Sequence, residues 1–358
     1  MSKTIYFIVP YPLGQAPSQR FRFEQYFPAL REQGYNLEIH PFLDEKTWGI
    51  VHKEGGFIQK AVGIFRSFLR RIRLLFRVSK SDILFIHREA AQVGPPFLEW
   101  ILVKLLHKKY IYDFDDAIWL PNYSESNARF HRLKAYWKVK FLFKWAEKIV
   151  AGNAYLASYA QQFNPNVQVI PTTIDTIHHH NMVCNHANEI PIIGWTGSHT
   201  TLHYLEMIVP IIAELEKVYT FHFLVICNEK PNFNLQSLRY IPWNKDTEIH
   251  DLSQITIGIM PLQNDPWSAG KCGFKGLQYM ALEIATILSP VGVNKTIVTE
   301  NHDGFFADTA EEWKEKLINL LENPPLRNRI GKNARITIEN RYSVVSQTTT
   351  FLSLFETE

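Results

Sequence analysis

Three residues in one short segment have the types and spacing to bind a phosphorylated ligand. Lys271, Lys275 and Gln278 lie four and three residues apart, so a helix starting near Gly270 would carry them on one face. Lysine at a helix start opposes the helix dipole, and a chain that keeps two there is expected to hold an anion between them. Two cations and an amide suit a diphosphate and a ribose; a solvated helix face is the simpler account of the same pattern. A second anion candidate is Ile193-Gly194-Trp195-Thr196-Gly197-Ser198-His199-Thr200, an apolar run, a glycine turn and a helix start with unsatisfied amides. Gly197 and Ser198 would meet phosphate there, or Ser198 or Thr200 would simply cap the helix.

Carboxylates concentrate at Asp113-Phe114-Asp115-Asp116. On a strand, Asp113 and Asp115 point to one face, which fits either a metal cluster or contact with a hydroxylated acceptor, with Asp115 or Asp116 as general base. Loop capping would also account for them. We favour Asp113 as an acceptor contact and expect no metal. His87-Arg88-Glu89 follows the apolar run 83–86 and so sits at a strand end. His87 suits a catalytic role there, and Arg88 and Glu89 suit acceptor contacts; a satisfied histidine beside an Arg–Glu pair explains the triplet equally well. Arg20 and Arg22 fall on different faces of a helix start, and Arg20 is the better candidate for a phosphate or an acidic sugar. Pro28 within that helix implies a kink. His178, His179 and His180 read as a solvated, flexible linker rather than a metal site.

The elements that must position these residues follow from the apolar pattern. Near-continuous apolar runs at 5–9, 37–39, 83–86, 110–112, 149–151 and 167–170 predict strands. Helical patterns at 18–33, 56–77, 96–106, 127–147 and 154–163 separate them. After an aperiodic stretch the rhythm restarts, with strands at 192–195, 223–227, 239–242, 255–260, 286–288 and 304–307. Helices at 200–217, 246–253, 271–281, 310–322 and 326–340 alternate with these, and a last helix spans 344–355. Such alternation is the pattern of α/β domains with parallel sheets covered on both faces.

With 358 residues, two domains are expected. We place the first at 1–176, completed by a C-terminal helix at 343–358, a linker at 177–189, and the second at 190–342. Ligands bind at the C-terminal ends of parallel strands, so the active site is expected in a cleft between two doubly wound domains. A net charge of +3 excludes a dedicated nucleic-acid binder. Three cysteines at unrelated spacings, no signal-peptide pattern and no long apolar run predict a cytoplasmic protein. Basic, aromatic-rich stretches at 60–80 and 134–148 could lie on an anionic membrane surface, or each could face the core with a solvated basic side.

Taken together, the 270–294 segment, the Gly194–Ser198 turn, Tyr279-Met280-Ala281, Ser289-Pro290-Val291-Gly292 and Asp303-Gly304-Phe305 resemble the family-4-like glycosyltransferases of GT-B fold, also called glycosyl transferases group 1. Pro17–Arg22, His87-Arg88-Glu89, Gly94-Pro95-Pro96 and Asp113–Ala117 are similar to a subgroup of it, so the resemblance spans nearly the whole chain. It implies two Rossmann-like domains facing across a cleft, with the last helix crossing back to the first. It also implies a nucleotide diphosphate-sugar donor on the second domain, a glycan or lipid-linked cell-envelope acceptor on the first, and transfer with retention and without metal or other cofactor. Lys271, Lys275, Gly197 and Ser198 would hold the diphosphate, Gln278 the ribose, and the loop near Trp243 the nucleobase. The family's pair of glutamates is absent, the positions falling near Gly270 and at Gln278, and its usual arginine appears as Trp195. An epimerase of the same build and a non-catalytic nucleotide-sugar-binding scaffold are the alternatives.

Overall fold

The structure is a computed structural model that describes residues 3–51, 53, 55–78, 83–121, 131–184 and 190–356. Lys80, the first part of the helix expected from Asn127, and linker residues 185–189 lie outside the described residues. The chain divides into two compact units, Met1–Thr172 with Thr348–Glu358, and Thr173–Gln347.

The first unit is built on six parallel strands: β1 (Thr4–Val9), β2 (Asn36–Pro41), β3 (Ile83–His87), β4 (Tyr110–Phe114), β5 (Lys148–Ala151) and β6 (Val167–Val169). Their order is β2-β1-β3-β4-β5-β6, so the sheet reverses direction of growth between β1 and β3. In the second unit the strands are β7 (Ile192–Gly197), β8 (His222–Cys227), β9 (Leu238–Pro242), β10 (Ile257–Met260), β11 (Ala285–Leu288) and β12 (Phe305–Phe306). Here the order is β12-β11-β10-β7-β8-β9, and the reversal falls between β7 and β10. The central strands are buried on both faces, as their unbroken apolar runs require: Ile5, Phe7, Phe85 and Ile86 in one sheet, Ile193, Val225, Ile259 and Ile287 in the other. Both sheets are doubly wound, as expected, and their switch points mark where each unit is built to bind a ligand.

Several helices differ from the apolar pattern. The expected 18–33 helix is three pieces, Pro17–Arg20, a 3-10 turn Glu24–Tyr26 and Phe27–Glu32. Pro28 lies in the first turn of the last piece, where its missing N–H costs nothing, so it starts a helix rather than kinking one. Pro210 does the same for Val209–Leu215, dividing it from the 3-10 helix His199–Met207. The expected histidine linker is solvated only in part, with Ile177, His178 and residues 181–183 exposed. His180 is fully buried, its amide donates to Asp175 O (2.7 Å), and Arg335 donates to His180 O (2.8 Å).

Chain ends complete the first unit. The helix Val344–Leu352 and the turn after it bury Phe351, Leu354 and Phe355, while Val345 is exposed. Phe351 stacks on Tyr26 with centroids 4.2 Å apart, and Phe355 reaches Phe85 at 6.0 Å. Tyr35 closes the contact by donating its hydroxyl to Phe355 O (3.1 Å).

Candidate functional site

At the switch point of the first unit, His87 ends β3 and pairs in register with Asp113 on β4. Its Nδ1 lies 2.7 Å from Asp113 Oδ2. Arg22 donates to the other oxygen, Oδ1, and to Ile170 O. Burial alone would raise the Asp113 carboxyl; the Arg22 guanidinium and the His87 hydrogen bond outweigh it and hold the group below the usual carboxylate range. Asp113 is 1% exposed, and its two oxygens are taken up by Arg22 and His87, unlike the open acceptor contact expected of it. With Nδ1 engaged, His87 presents Nε2, which is buried, has no hydrogen-bond partner among the described residues and lies 4.0 Å from Asp115 Oδ1. Asp113 and Asp115 do converge, as strand geometry suggested, but on a histidine. Among the described residues, no group of three or more His, Cys, Asp or Glu is arranged to hold a metal.

Arg88 follows in the left-handed region at φ 57, an uncommon state for a non-glycine residue. Its amide donates to Asp113 O (2.8 Å), Tyr112 donates its hydroxyl to Arg88 O, and its guanidinium spans Asp115 (2.7 Å) and Asp116. Arg88 therefore organises the two acids expected as general bases. Tyr11, from the loop after β1, stands in the same field. Desolvation raises its hydroxyl pKa, with Arg88 opposing and Glu89, Asp115 and Asp116 reinforcing. Glu89 pairs with Lys138 (2.7 Å), a buried lysine that also donates to Ala91 O (2.8 Å). The 134–148 stretch thus spends a cation internally, and its helix is only Val139–Trp145. Arg20 is nearly buried, its guanidinium 4.9 Å from the Phe21 ring centroid.

In the second unit the switch point gathers the ends of β7 and β10. The helix after β10 begins at Phe274, not near Gly270. Gly273 precedes it in the left-handed region at φ +68, a backbone state that favours glycine and ends the helix on that side. Lys271 consequently lies in the loop before the helix and Lys275 within its first turn. Both still point to the switch point: Lys271 Nζ is 5.7 Å from the Tyr204 ring centroid and 5.8 Å from that of Trp267, and Lys275 Nζ is 5.5 Å from Trp195. Asp265 caps the short helix Pro266–Ala269 by accepting from Ser268 N (2.8 Å), which fixes the loop carrying Lys271.

The Gly197–Ser198 turn is more occupied than its sequence suggests. Ser198 N donates to Thr201 Oγ1 (3.2 Å), His199 N to Asn228 Oδ1 (2.8 Å), and Ser198 Oγ bonds Thr200 Oγ1 (2.8 Å). Glycine is needed at 197 for packing, since a Cβ would lie 2.4 Å from the Trp195 ring. Gln278 is 2% exposed; its Nε2 lies 3.4 Å from Glu248 Oε1 and 3.4 Å from His180 Nε2. Trp243 donates Nε1 to the same Glu248 oxygen at 3.3 Å, so Gln278 and Trp243, expected at ribose and base, meet at a buried glutamate.

Sequence reasoning preferred Arg20 to Arg22, read His180 as linker, and did not single out Tyr11 or Glu248. Arg22 is 91 residues from Asp113, and no local pattern marks such a pair.

Residues 232–337 match the family model for glycosyl transferases group 1. The match is confined to this segment of the second unit. It contains Trp243, Glu248, Lys271, Lys275 and Gln278. Solved structures extend the likeness to the whole fold, which is GT-B. Sucrose-phosphate synthase from Thermosynechococcus elongatus aligns at TM-score 0.72 and 13% identity, over 99% of this chain and 98% of its own. A glycosyltransferase from Rickettsia africae aligns at 0.69 and 17%, over 99% and 97%. HepE of Anabaena, in complex with UDP-glucose, aligns at 0.68 and 12%, over 98% of each chain. A comparison with curated proteins finds no match.

Proposed function

We propose that the protein is a retaining glycosyltransferase. It takes a sugar from a nucleotide diphosphate donor held on the second unit and passes it to a glycan or lipid-linked acceptor on the first. The observation that carries this reading is the pair of lysines directed at the β7/β10 switch point inside the group 1 segment. Their ammonium groups would stabilise the charge that develops on the departing diphosphate, the task that a metal performs in other designs. With the Ser198 and His199 amides already donating to Thr201 and Asn228, the lysines would bear most of that task. His87 would serve the transferred sugar through Nε2, in the orientation Asp113 sets. The complex of HepE with UDP-glucose makes that nucleotide sugar the first donor to test.

Incubation with a panel of nucleotide sugars, with and without glycan acceptors, tests the reaction. Acceptor-dependent release of nucleoside diphosphate is the expected result. Isomerised donor without release would point to an epimerase, and binding without turnover to a scaffold. Proton NMR of the product gives the anomeric configuration.

Two predictions belong here. Lys271→Ala and Lys275→Ala should each weaken nucleoside diphosphate binding by about 1.5–3 kcal/mol, the worth of a charge-assisted hydrogen bond. Calorimetry that finds unchanged affinity in both folded variants would sink the phosphate assignment. Turnover should also persist in excess EDTA; activity lost to the chelator and restored by Mg²⁺ or Mn²⁺ would require a metal site that the lysines do not supply.

A further inference from the structure

The helix Phe57–Leu75 packs by its less apolar side. Facing inward are Gly63, Ser67, Arg71 and Leu74. Gly63 presses on Thr47, and Arg71 extends to carbonyl oxygens of Val9 (2.8 Å), His40 (2.6 Å) and Ala90 (2.6 Å). Turned outward are Ile58, Val62, Phe65, Leu69 and Ile72, spaced alternately four and three residues apart, with Phe76 continuing the stripe past the helix end. Phe65 is 64% exposed, Ile58 77% and Phe76 86%. An amphipathic helix was expected here, with a core-facing apolar side as the simpler alternative; the structure places the apolar stripe on the surface instead. A contiguous exposed apolar face of this length marks an interaction surface.

Charge identifies the partner. Residues 55–78 contain no acid, and Arg66, Arg73 and Arg77 are exposed. At roughly 100° per residue, Arg66 and Arg73 border one edge of the stripe. A second copy docking on the same stripe would set these cations along a shared rim with no acid of Phe57–Leu75 to answer them. An anionic bilayer supplies acyl chains for the stripe and phosphates for the arginines. Among the described residues, no helix is long and apolar enough to cross a membrane. We propose that Phe57–Leu75 lies in the headgroup layer of an anionic bilayer, with Ile58, Val62, Phe65, Leu69 and Ile72 inserted and Arg66 and Arg73 on lipid phosphates. The proposal is independent of the transfer chemistry, because its test contains neither donor nor acceptor.

The full chain is sedimented with vesicles of phosphatidylcholine alone or mixed with phosphatidylglycerol. Binding to the anionic vesicles should exceed binding to neutral ones at least ~10-fold and decline with salt. Phe65→Ser combined with Ile72→Ser should abolish it, and Arg66→Gln combined with Arg73→Gln should lower it several-fold. The thermal midpoint should stay unchanged in both, since these side chains point outward. Absence of binding to either vesicle, or binding unaffected by the serine pair, overturns the proposal. So does a concentration-dependent dimer in lipid-free solution that the serine pair dissolves, which would assign the stripe to a second copy.

Discussion

Ending the chain at Gln347 is expected to unfold the first unit while leaving the second folded. The deleted residues 348–358 carry Phe351, Leu354 and Phe355, exposed by 1%, 4% and 1%. Removing buried side chains costs about 3–5 kcal/mol for each phenylalanine and ~2–5 for the leucine. That loss is comparable with the entire stability of a domain, about 5–15 kcal/mol. The cavity would open against Phe7, Tyr26 and Phe85, beside the two strands at the switch point. Hydrogen exchange should therefore show loss of protection in β1 and β3 but not in β7 or β10. Protection retained in β1 and β3 of the truncated chain would show that the C-terminal segment is dispensable to that core.

The second large effect is expected at Asp113. Replacing it by alanine leaves the Arg22 guanidinium buried without its counter-charge and frees the ring of His87. Breaking a buried ion pair from one side costs about 3–5 kcal/mol, enough to shift the urea midpoint of the first unit well below wild type. The pH dependence has a definite sign. Arg22 and His87 hold the folded carboxyl below the ~3.9 of an unfolded aspartate. Its contribution is complete above that value and is lost as pH falls through the lower folded pKa. The stability difference between wild type and Asp113→Asn should thus be constant from neutral pH to about 4 and narrow below it. A difference that instead grows with acidity would mean the carboxyl is not ionised in the fold. Activity distinguishes orientation from bulk stability: Asp113→Asn assayed where it remains folded should show lower kcat, because His87 has lost its fixed tautomer.

Strands were legible because central parallel strands are buried on both faces and leave uninterrupted apolar runs such as Ile5–Val9 and Phe223–Cys227. Helix ends were less so. A glycine at 273 looks like any other glycine until the fold sets it at φ +68, just outside the helix that follows. Lys271 and Lys275 were found for a helix-start argument that applies to Lys275 alone, yet both reach the same switch point. At the first unit's site the residue types were visible and their alliances were not. His87, Asp113 and Arg22 come from three separate segments, and only pairing β3 with β4 makes the first two neighbours. The Phe57–Leu75 helix shows the limit of periodicity most clearly: its apolar stripe was evident, and which side faces inward was decided by Thr47 and by carbonyls that Arg71 could reach.

Closure of the first sheet by the last residues also sets an order of events during synthesis. Phe355 reaches Phe7 and Phe85, which are made before any residue of the second unit (centroids 6.3 and 6.0 Å). Domains ordinarily fold from the N-terminus as the chain emerges, at about 5–20 residues per second. Here the N-terminal sheet must wait for the whole second unit to be translated before its final layer exists. The second unit, Thr173–Gln347, is contiguous and can reach its native contacts first. The half synthesised first is then the half finished last, and a chain interrupted anywhere before residue 348 leaves the ribosome with that sheet uncovered and the His87 site unsupported.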